Sequence, residues 1–61
     1  MNLNTADAAA LDELPGVGPV TAAAILSWRS AHGPFTAVDQ LAEVDGIGPA
    51  TLARLRPLVT V

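Results

Sequence analysis

The feature that most constrains the fold of this 61-residue chain is an internal repeat with an offset of 30 residues. The stretch LPGVGP at 14–19 returns as VDGIGP at 44–49, and the similarity extends to both sides. The equivalent pairs are Leu11 and Leu41, Glu13 and Glu43, Leu14 and Val44, Gly16 and Gly46, Val17 and Ile47, Gly18 and Gly48, Pro19 and Pro49, Thr21 and Thr51, and Ile25 and Leu55. The repeat predicts two copies of one supersecondary unit, which bury their apolar faces against each other.

Each copy is predicted to form a helix, a tight turn and a second helix. In the first unit, residues 4–31, Asn4 is the predicted N-cap of a helix that ends near Glu13, before a Pro-Gly pair. Pro19 suits the first position of the second helix, about 19–31, because its missing N–H group costs nothing there.

The second unit, residues 36–57, follows a linker over 32–35 and repeats this plan. Thr36 is the predicted N-cap of its shorter first helix, and Pro49 begins its second helix. No segment alternates with a period of two, apart from a short extended tail, LVTV. Residues 2–61 are therefore predicted to form one all-α domain of four short helices, a linker and a short C-terminal tail, with a pseudo-two-fold axis between the units.

Composition excludes several classes of protein. Without cysteine there is neither a disulfide nor thiolate chemistry. The longest apolar run, AAAIL at 22–26, is far shorter than the ~20 residues that cross a bilayer. Three arginines, six acidic residues and no lysine give a net charge of −3, which does not by itself indicate a nucleic-acid partner.

Catalytic and metal chemistry lack their usual patterns. Ser27, Ser30 and His32 have no nucleophile elbow or oxyanion donor nearby in the sequence, and no histidines or carboxylates have metal-ligand spacing. We therefore predict no enzymatic activity, no metal site, no cofactor, no small-molecule substrate and no membrane contact by this segment. Trp28 is expected to flank the core, and His32 to lie at a helix end.

The repeated glycines have two interpretations. They can simply close sharp turns, because glycine tolerates positive φ angles. Alternatively, they expose successive N–H groups at a helix start, which is an anion site suited to phosphate. The aliphatic residue between each pair, Val17 or Ile47, would then insert into the core while the neighbouring N–H groups point outward.

The segments LPGVGPVTAAAI and VDGIGPATLARL resemble helix-hairpin-helix motifs, and as a pair they resemble the tandem helix-hairpin-helix domain, a SAM-domain-like fold. With NLNTADAAALDELPGVG, WRSAHGPFTAVDQL and LRPLVTV, the chain resembles more narrowly the C-terminal domain of ComEA-type bacterial competence proteins over residues 2–61. The resemblance implies non-sequence-specific binding of duplex DNA during uptake in natural transformation. It also implies an extracytoplasmic parent protein, membrane-anchored or periplasmic, with other proteins of the competence machinery as further partners.

The resemblance also implies which residues contact DNA. The two hairpins would hold phosphates of both strands across a minor groove, mainly through backbone amides. The implied residues are Gly16, Val17, Gly18, Val20, Thr21, Gly46, Ile47, Gly48, Ala50 and Thr51. In some relatives the hairpin carbonyls hold a monovalent cation; the matching carbonyls here are those of Leu14 with Val17 and of Val44 with Ile47.

The chain departs from the family pattern in its charge. Many such motifs place lysine or arginine just after the second glycine, where this chain has PVT and PAT. Arg29 and Arg54 are candidate phosphate contacts, as is Arg56, although arginines near helix ends also cap carbonyls or pair with acids. Asp45 beside Gly46 repels phosphate, so the first hairpin is expected to be the better site.

A second function is consistent with these residues: a structural or protein-interaction domain of the same fold that has lost DNA binding. An extrinsic photosystem subunit looks like the same tandem fold without a DNA role. The acidic balance and the missing lysines favour this alternative, whereas two intact G-x-G turns favour DNA.

Overall fold

The computed structural model describes residues 1–61. Three α-helices follow one another along the chain: α1 (Ala8–Asp12), α2 (Pro19–His32) and α3 (Pro49–Leu55). A 3₁₀ helix, Val38–Glu43, lies between α2 and α3, and a 3₁₀ turn, Arg56–Leu58, follows α3. The only extended pairing is an isolated parallel bridge between Asn2 and Thr60. The predicted all-α class is confirmed, with a 3₁₀ helix as the first helix of the second unit.

The start of α1 differs from the prediction. Asp7 is its N-cap and accepts a hydrogen bond from the Ala10 N–H at 2.9 Å, so the prediction that Asn4 caps this helix is wrong. Asn4 instead joins the two halves of the chain. Its Nδ2 donates to the Phe35 carbonyl at 3.0 Å, and its Oδ1 accepts from the Phe35 N–H at 2.7 Å. An amide side chain suits this role because it carries both donors and an acceptor.

The start of the 3₁₀ helix also differs from the prediction. Its N-cap is Ala37 rather than Thr36. The Oε1 atom of Gln40 accepts the N–H groups of Thr36 at 2.7 Å and of Ala37 at 3.2 Å. These free N–H groups are thus satisfied by a side chain that reaches back from the first turn, which leaves the Thr36 hydroxyl without a capping role.

One apolar core holds both units together. Fifteen residues are buried, and none of them is polar or charged. Five pairs at the offset of 30 residues are buried at both members: Leu11 and Leu41, Leu14 and Val44, Val17 and Ile47, Ala22 and Leu52, and Ile25 and Leu55. The repeat in the sequence is therefore a repeat of core positions, as expected for two units that lack a core of their own.

The N-terminal segment is fastened to the rest of the domain by backbone and side-chain hydrogen bonds. The Leu3 N–H donates to the Thr60 carbonyl at 2.8 Å, and the Thr60 N–H donates to the Met1 carbonyl at 2.7 Å. From α2, Nη1 of Arg29 donates to the carbonyls of Leu3 at 2.9 Å and Ala6 at 2.8 Å. None of the helices has the length and the apolar character needed to cross a lipid bilayer.

Candidate nucleic-acid interface

The first hairpin, residues 14–19, and the second hairpin, residues 44–49, have the same backbone geometry. Gly16 and Gly46 have φ angles of 79° and 96°, in the left-handed region. The N–H of Val17 donates to the Leu14 carbonyl at 3.0 Å, and that of Ile47 donates to the Val44 carbonyl at 3.2 Å. Both turns therefore require glycine at their first position, because a side chain at positive φ is strained.

The second glycine of each hairpin is in a different situation. Gly18 has φ −106° and ψ −173°, and Gly48 has φ −93° and ψ 179°, which is extended backbone that any residue adopts. A Cβ atom added to either would meet nothing within 4 Å. Neither backbone strain nor lack of space explains these two glycines.

Each hairpin presents four equivalent backbone N–H groups that have no acceptor within the chain, and the second hairpin adds the unpaired N–H of Asp45. In the first hairpin they belong to Gly16, Gly18, Val20 and Thr21, and in the second to Gly46, Gly48, Ala50 and Thr51. No side chain caps either helix start. The prolines at the first helical position carry no N–H group at all. Unpaired N–H groups at the start of a helix attract anions.

Val17 and Ile47 contribute packing rather than donors. Each residue is 6% exposed and belongs to the core, as the sequence predicts for the residue between the glycines. Their N–H groups are already donated within the turn, to Leu14 and Val44. Neither N–H group is therefore free to donate to a phosphate.

The predicted cation ligands are the carbonyls of these same turns. Those of Leu14 and Val44 each accept one N–H group and keep a second lone pair. No group of three or more histidine or carboxylate side chains is placed to hold a metal ion. A monovalent cation on the carbonyls of Leu14 with Val17, or of Val44 with Ile47, stays a prediction from the resemblance.

The two hairpins lie against each other through a reciprocal contact. A Cβ atom on Gly16 would lie 3.2 Å from Cγ2 of Thr51, and one on Gly46 would lie 2.8 Å from Oγ1 of Thr21. Each threonine thus packs on the first glycine of the other hairpin. The contact relates equivalent positions of the two units, as a pseudo-two-fold arrangement requires, and it places the two sets of free N–H groups side by side.

Comparison with known families agrees with this geometry. Residues 1–60 match the profile of the helix-hairpin-helix motif. The chain belongs to the helix-hairpin-helix family. The unpaired amides and the glycines described above thus lie in the hairpins of a family domain that occupies nearly the whole chain.

Relatives carry this helix-hairpin-helix domain as part of longer proteins. An uncharacterized protein of Haemophilus influenzae is 46% identical over 57 residues, which cover 92% of this chain and 51% of that protein. ComE operon protein 1 of Bacillus subtilis is 34% identical over 61 residues, all of this chain and 30% of that protein, in agreement with the ComEA-type resemblance. The endonuclease/exonuclease/phosphatase family domain-containing protein 1 of Homo sapiens is 41% identical over 56 residues, which cover 92% of this chain and 10% of that protein. The chain therefore spans about half or less of the length of these relatives.

The chain has only three arginines, and two of them already form hydrogen bonds or an ion pair within the chain. Arg29 is bound to the carbonyls of Leu3 and Ala6, and Arg56 forms an exposed ion pair with Asp39. Arg54 is exposed and is the one arginine without a hydrogen bond or an ion pair in the chain. Positive charge is thus scarce, and most donors of this surface are uncharged backbone N–H groups.

Trp28 and His32 belong to the fold. Trp28 is 9% exposed, and its ring stacks on those of His32 and Phe35, with ring centroids 4.6 Å and 4.3 Å away. A ring nitrogen of His32, Nδ1, lies 3.0 Å from the Trp28 carbonyl at the end of α2. Trp28 is thus a buried member of the core rather than a residue at its flank, whereas the predicted helix-end position of His32 is confirmed.

The engagement of Arg29 leads to a prediction about stability. We expect Arg29→Ala to lower the free energy of unfolding by about 2 kcal/mol, because hydrogen bonds from a charged donor are lost and two carbonyls lose a partner. Arg54→Ala, the matched control, should change it by less than about 0.5 kcal/mol, as expected for an exposed residue without partners. Urea unfolding of both variants measures the difference. If Arg29→Ala left stability unchanged and weakened DNA binding instead, Arg29 would be a phosphate ligand rather than a structural residue.

Proposed function

We propose that this domain binds duplex DNA without sequence specificity, by donating backbone N–H groups of both hairpins to phosphates. The observation that carries the proposal is the pair of equivalent amide sets, each beside a glycine, Gly18 or Gly48, that the fold does not require. A glycine there leaves the backbone bare, so that a phosphate can approach closely. Membership of the helix-hairpin-helix family supports this function.

The arrangement of the two hairpins favours a duplex. They are adjacent, because Thr51 of the second set contacts Gly16 of the first. Two adjacent, symmetry-related anion sites suit the two strands that flank a minor groove, which is about 6 Å wide. Contacts to phosphates carry no sequence information, so such a domain accepts any DNA.

The likeness to ComE operon protein 1 supports a role in competence. We infer that residues 2–61 are a non-catalytic binding module of a DNA-uptake protein, placed outside the cytoplasm by an anchor or in the periplasm, where it meets other proteins of the competence machinery. The endonuclease/exonuclease/phosphatase relatives match over only 10% of their length, which supports a module that is separate from a catalytic domain.

The scarcity of free arginines predicts an unusual salt dependence. Each neutralised phosphate contributes about −0.9 to the slope of log Kobs against log salt concentration. With Arg54 as the one unengaged arginine, we expect weak binding with a slope of about −1. Fluorescence anisotropy of labelled random duplex DNA, at low and then physiological salt, measures both quantities.

Absence of binding at low salt and high protein concentration would overturn the DNA proposal. The second candidate, a structural or protein-interaction domain, would then account better for the net charge of −3. A slope several times steeper would show instead that arginines Arg29 and Arg56 leave their partners to bind phosphate.

A further inference from the structure

We propose that Thr21 and Thr51 act on DNA across the pseudo-two-fold axis. The hydroxyl of Thr51 donates to the phosphate held at the first hairpin, and the hydroxyl of Thr21 donates to the phosphate held at the second. This assignment rests on the proposed DNA binding and deepens it. Each hydroxyl would thus serve the hairpin of the other repeat unit, not the hairpin next to it in the sequence.

The reciprocal contact carries the proposal. The Cβ position of Gly16 lies 3.2 Å from Cγ2 and 3.5 Å from Oγ1 of Thr51. The Cβ position of Gly46 lies 2.8 Å from Oγ1 and 3.6 Å from Cγ2 of Thr21. Each hydroxyl therefore lies directly beside the first glycine of the opposite hairpin, whose own N–H group has no acceptor.

The hydroxyls themselves are free to donate. Both threonines are half-buried, and neither Oγ1 atom makes a hydrogen bond within the chain. A threonine in a helix commonly bonds its hydroxyl to the carbonyl three or four residues earlier. Thr21 and Thr51 do not, and an unpaired hydroxyl beside a set of unpaired amides is a suitable extra donor for an anion.

The first glycine of each hairpin makes this arrangement possible. Besides its positive φ angle, the missing Cβ atom of Gly46 leaves room for the Thr21 hydroxyl at a distance that no real Cβ atom tolerates. As a result, each phosphate would contact both repeat units: backbone donors from one and a hydroxyl from the other. A single unit would therefore provide an incomplete site, which gives the duplication a functional reason besides the shared core.

Four variants test the assignment: Thr51→Val and Thr21→Val remove a hydroxyl with little change of shape, while Thr51→Ser and Thr21→Ser keep it. We expect each valine variant to weaken duplex binding about tenfold or more, as for one lost hydrogen bond to a charged group, and the serine variants to bind nearly as wild type. Anisotropy with random duplex DNA measures the affinities.

Backbone amide NMR then shows which hairpin each hydroxyl serves. With the same duplex, Thr51→Val should reduce the DNA-induced shifts of the Gly16 and Gly18 amides and spare those of Gly46 and Gly48. Thr21→Val should give the reverse pattern. If each valine variant instead affects the hairpin adjacent in sequence, or if the serine variants lose binding while the valine variants keep it, the assignment is wrong. Absence of any shift in the unmodified domain would instead refute DNA binding itself.

Discussion

Gly18→Glu should weaken binding of duplex DNA at least about tenfold while leaving the domain folded, because hydrogen bonds from one hairpin to a charged phosphate are worth roughly 1.5 kcal/mol or more each. The fold tolerates the change, since Gly18 has an extended backbone and a Cβ atom there meets nothing within 4 Å. The new carboxylate lies among the unpaired N–H groups at the start of α2. It repels phosphate and competes for the same donors, while a negative charge at a helix start is favourable for the helix.

A matched control separates this local effect from a change in net charge. Ser30→Glu adds the same charge at an exposed position of α2, about 18 Å from Gly18 along the helix at a rise of 1.5 Å per residue. It should weaken binding much less than Gly18→Glu, and Gly48→Glu should resemble Gly18→Glu at the second hairpin. Anisotropy at low salt, with circular dichroism to verify folding, measures all three. Equal effects of Gly18→Glu and Ser30→Glu would mean that the hairpin is not the site.

The tandem organisation was predictable from the sequence because the repeat acts through strong local constraints. Pro19 and Pro49 can only begin helices at these places, and Gly16 and Gly46 supply the positive φ angles that a sharp turn needs. These requirements depend only on residues that are close in the sequence, so the turns and helix starts could be predicted without knowledge of the tertiary packing.

The predicted N-cap of α1 was wrong for the opposite reason. A side chain that could cap a helix does not do so when a distant residue binds it instead, and a neighbouring residue then takes the cap. Asn4 bonds both backbone groups of Phe35, 31 positions away, and the nearby Asp7 takes the cap of α1. Long-range partners of this kind are not encoded in local propensity, and the same holds for the contacts of Arg29 with Leu3 and Ala6.

The sequence also could not distinguish the two glycines of each hairpin. Both members of a G-x-G pattern look equally dispensable or equally necessary until the φ angles and the neighbours are known. The structure divides them: Gly16 and Gly46 are needed by the turn and by the threonine of the other unit, whereas Gly18 and Gly48 are not. Contacts between equivalent positions of two units arise only from the way in which the units pack.

That division predicts opposite outcomes for one substitution at two neighbouring positions. We expect Gly46→Ala to lower the free energy of unfolding by about 2 to 4 kcal/mol. A left-handed backbone costs a residue with a Cβ atom about 1–2 kcal/mol, and overpacking adds a similar amount. The overpacking arises because the new Cβ atom would lie 2.8 Å from Oγ1 of Thr21. Gly48→Ala should leave stability unchanged or raise it by up to about 1 kcal/mol, because it only restricts the unfolded chain.

Urea unfolding of both variants, followed by circular dichroism, measures the difference. A third variant, the double substitution Gly46→Ala with Thr21→Ala, removes the crowding and keeps the unfavourable φ angle. Relative to Thr21→Ala alone, adding Gly46→Ala should therefore cost only the backbone part, about 1–2 kcal/mol. If Gly46→Ala and Gly48→Ala were equally stable, the first glycine would not be a structural requirement. All four glycines would then be explained by exposure of the unpaired N–H groups, because turn geometry would require none of them.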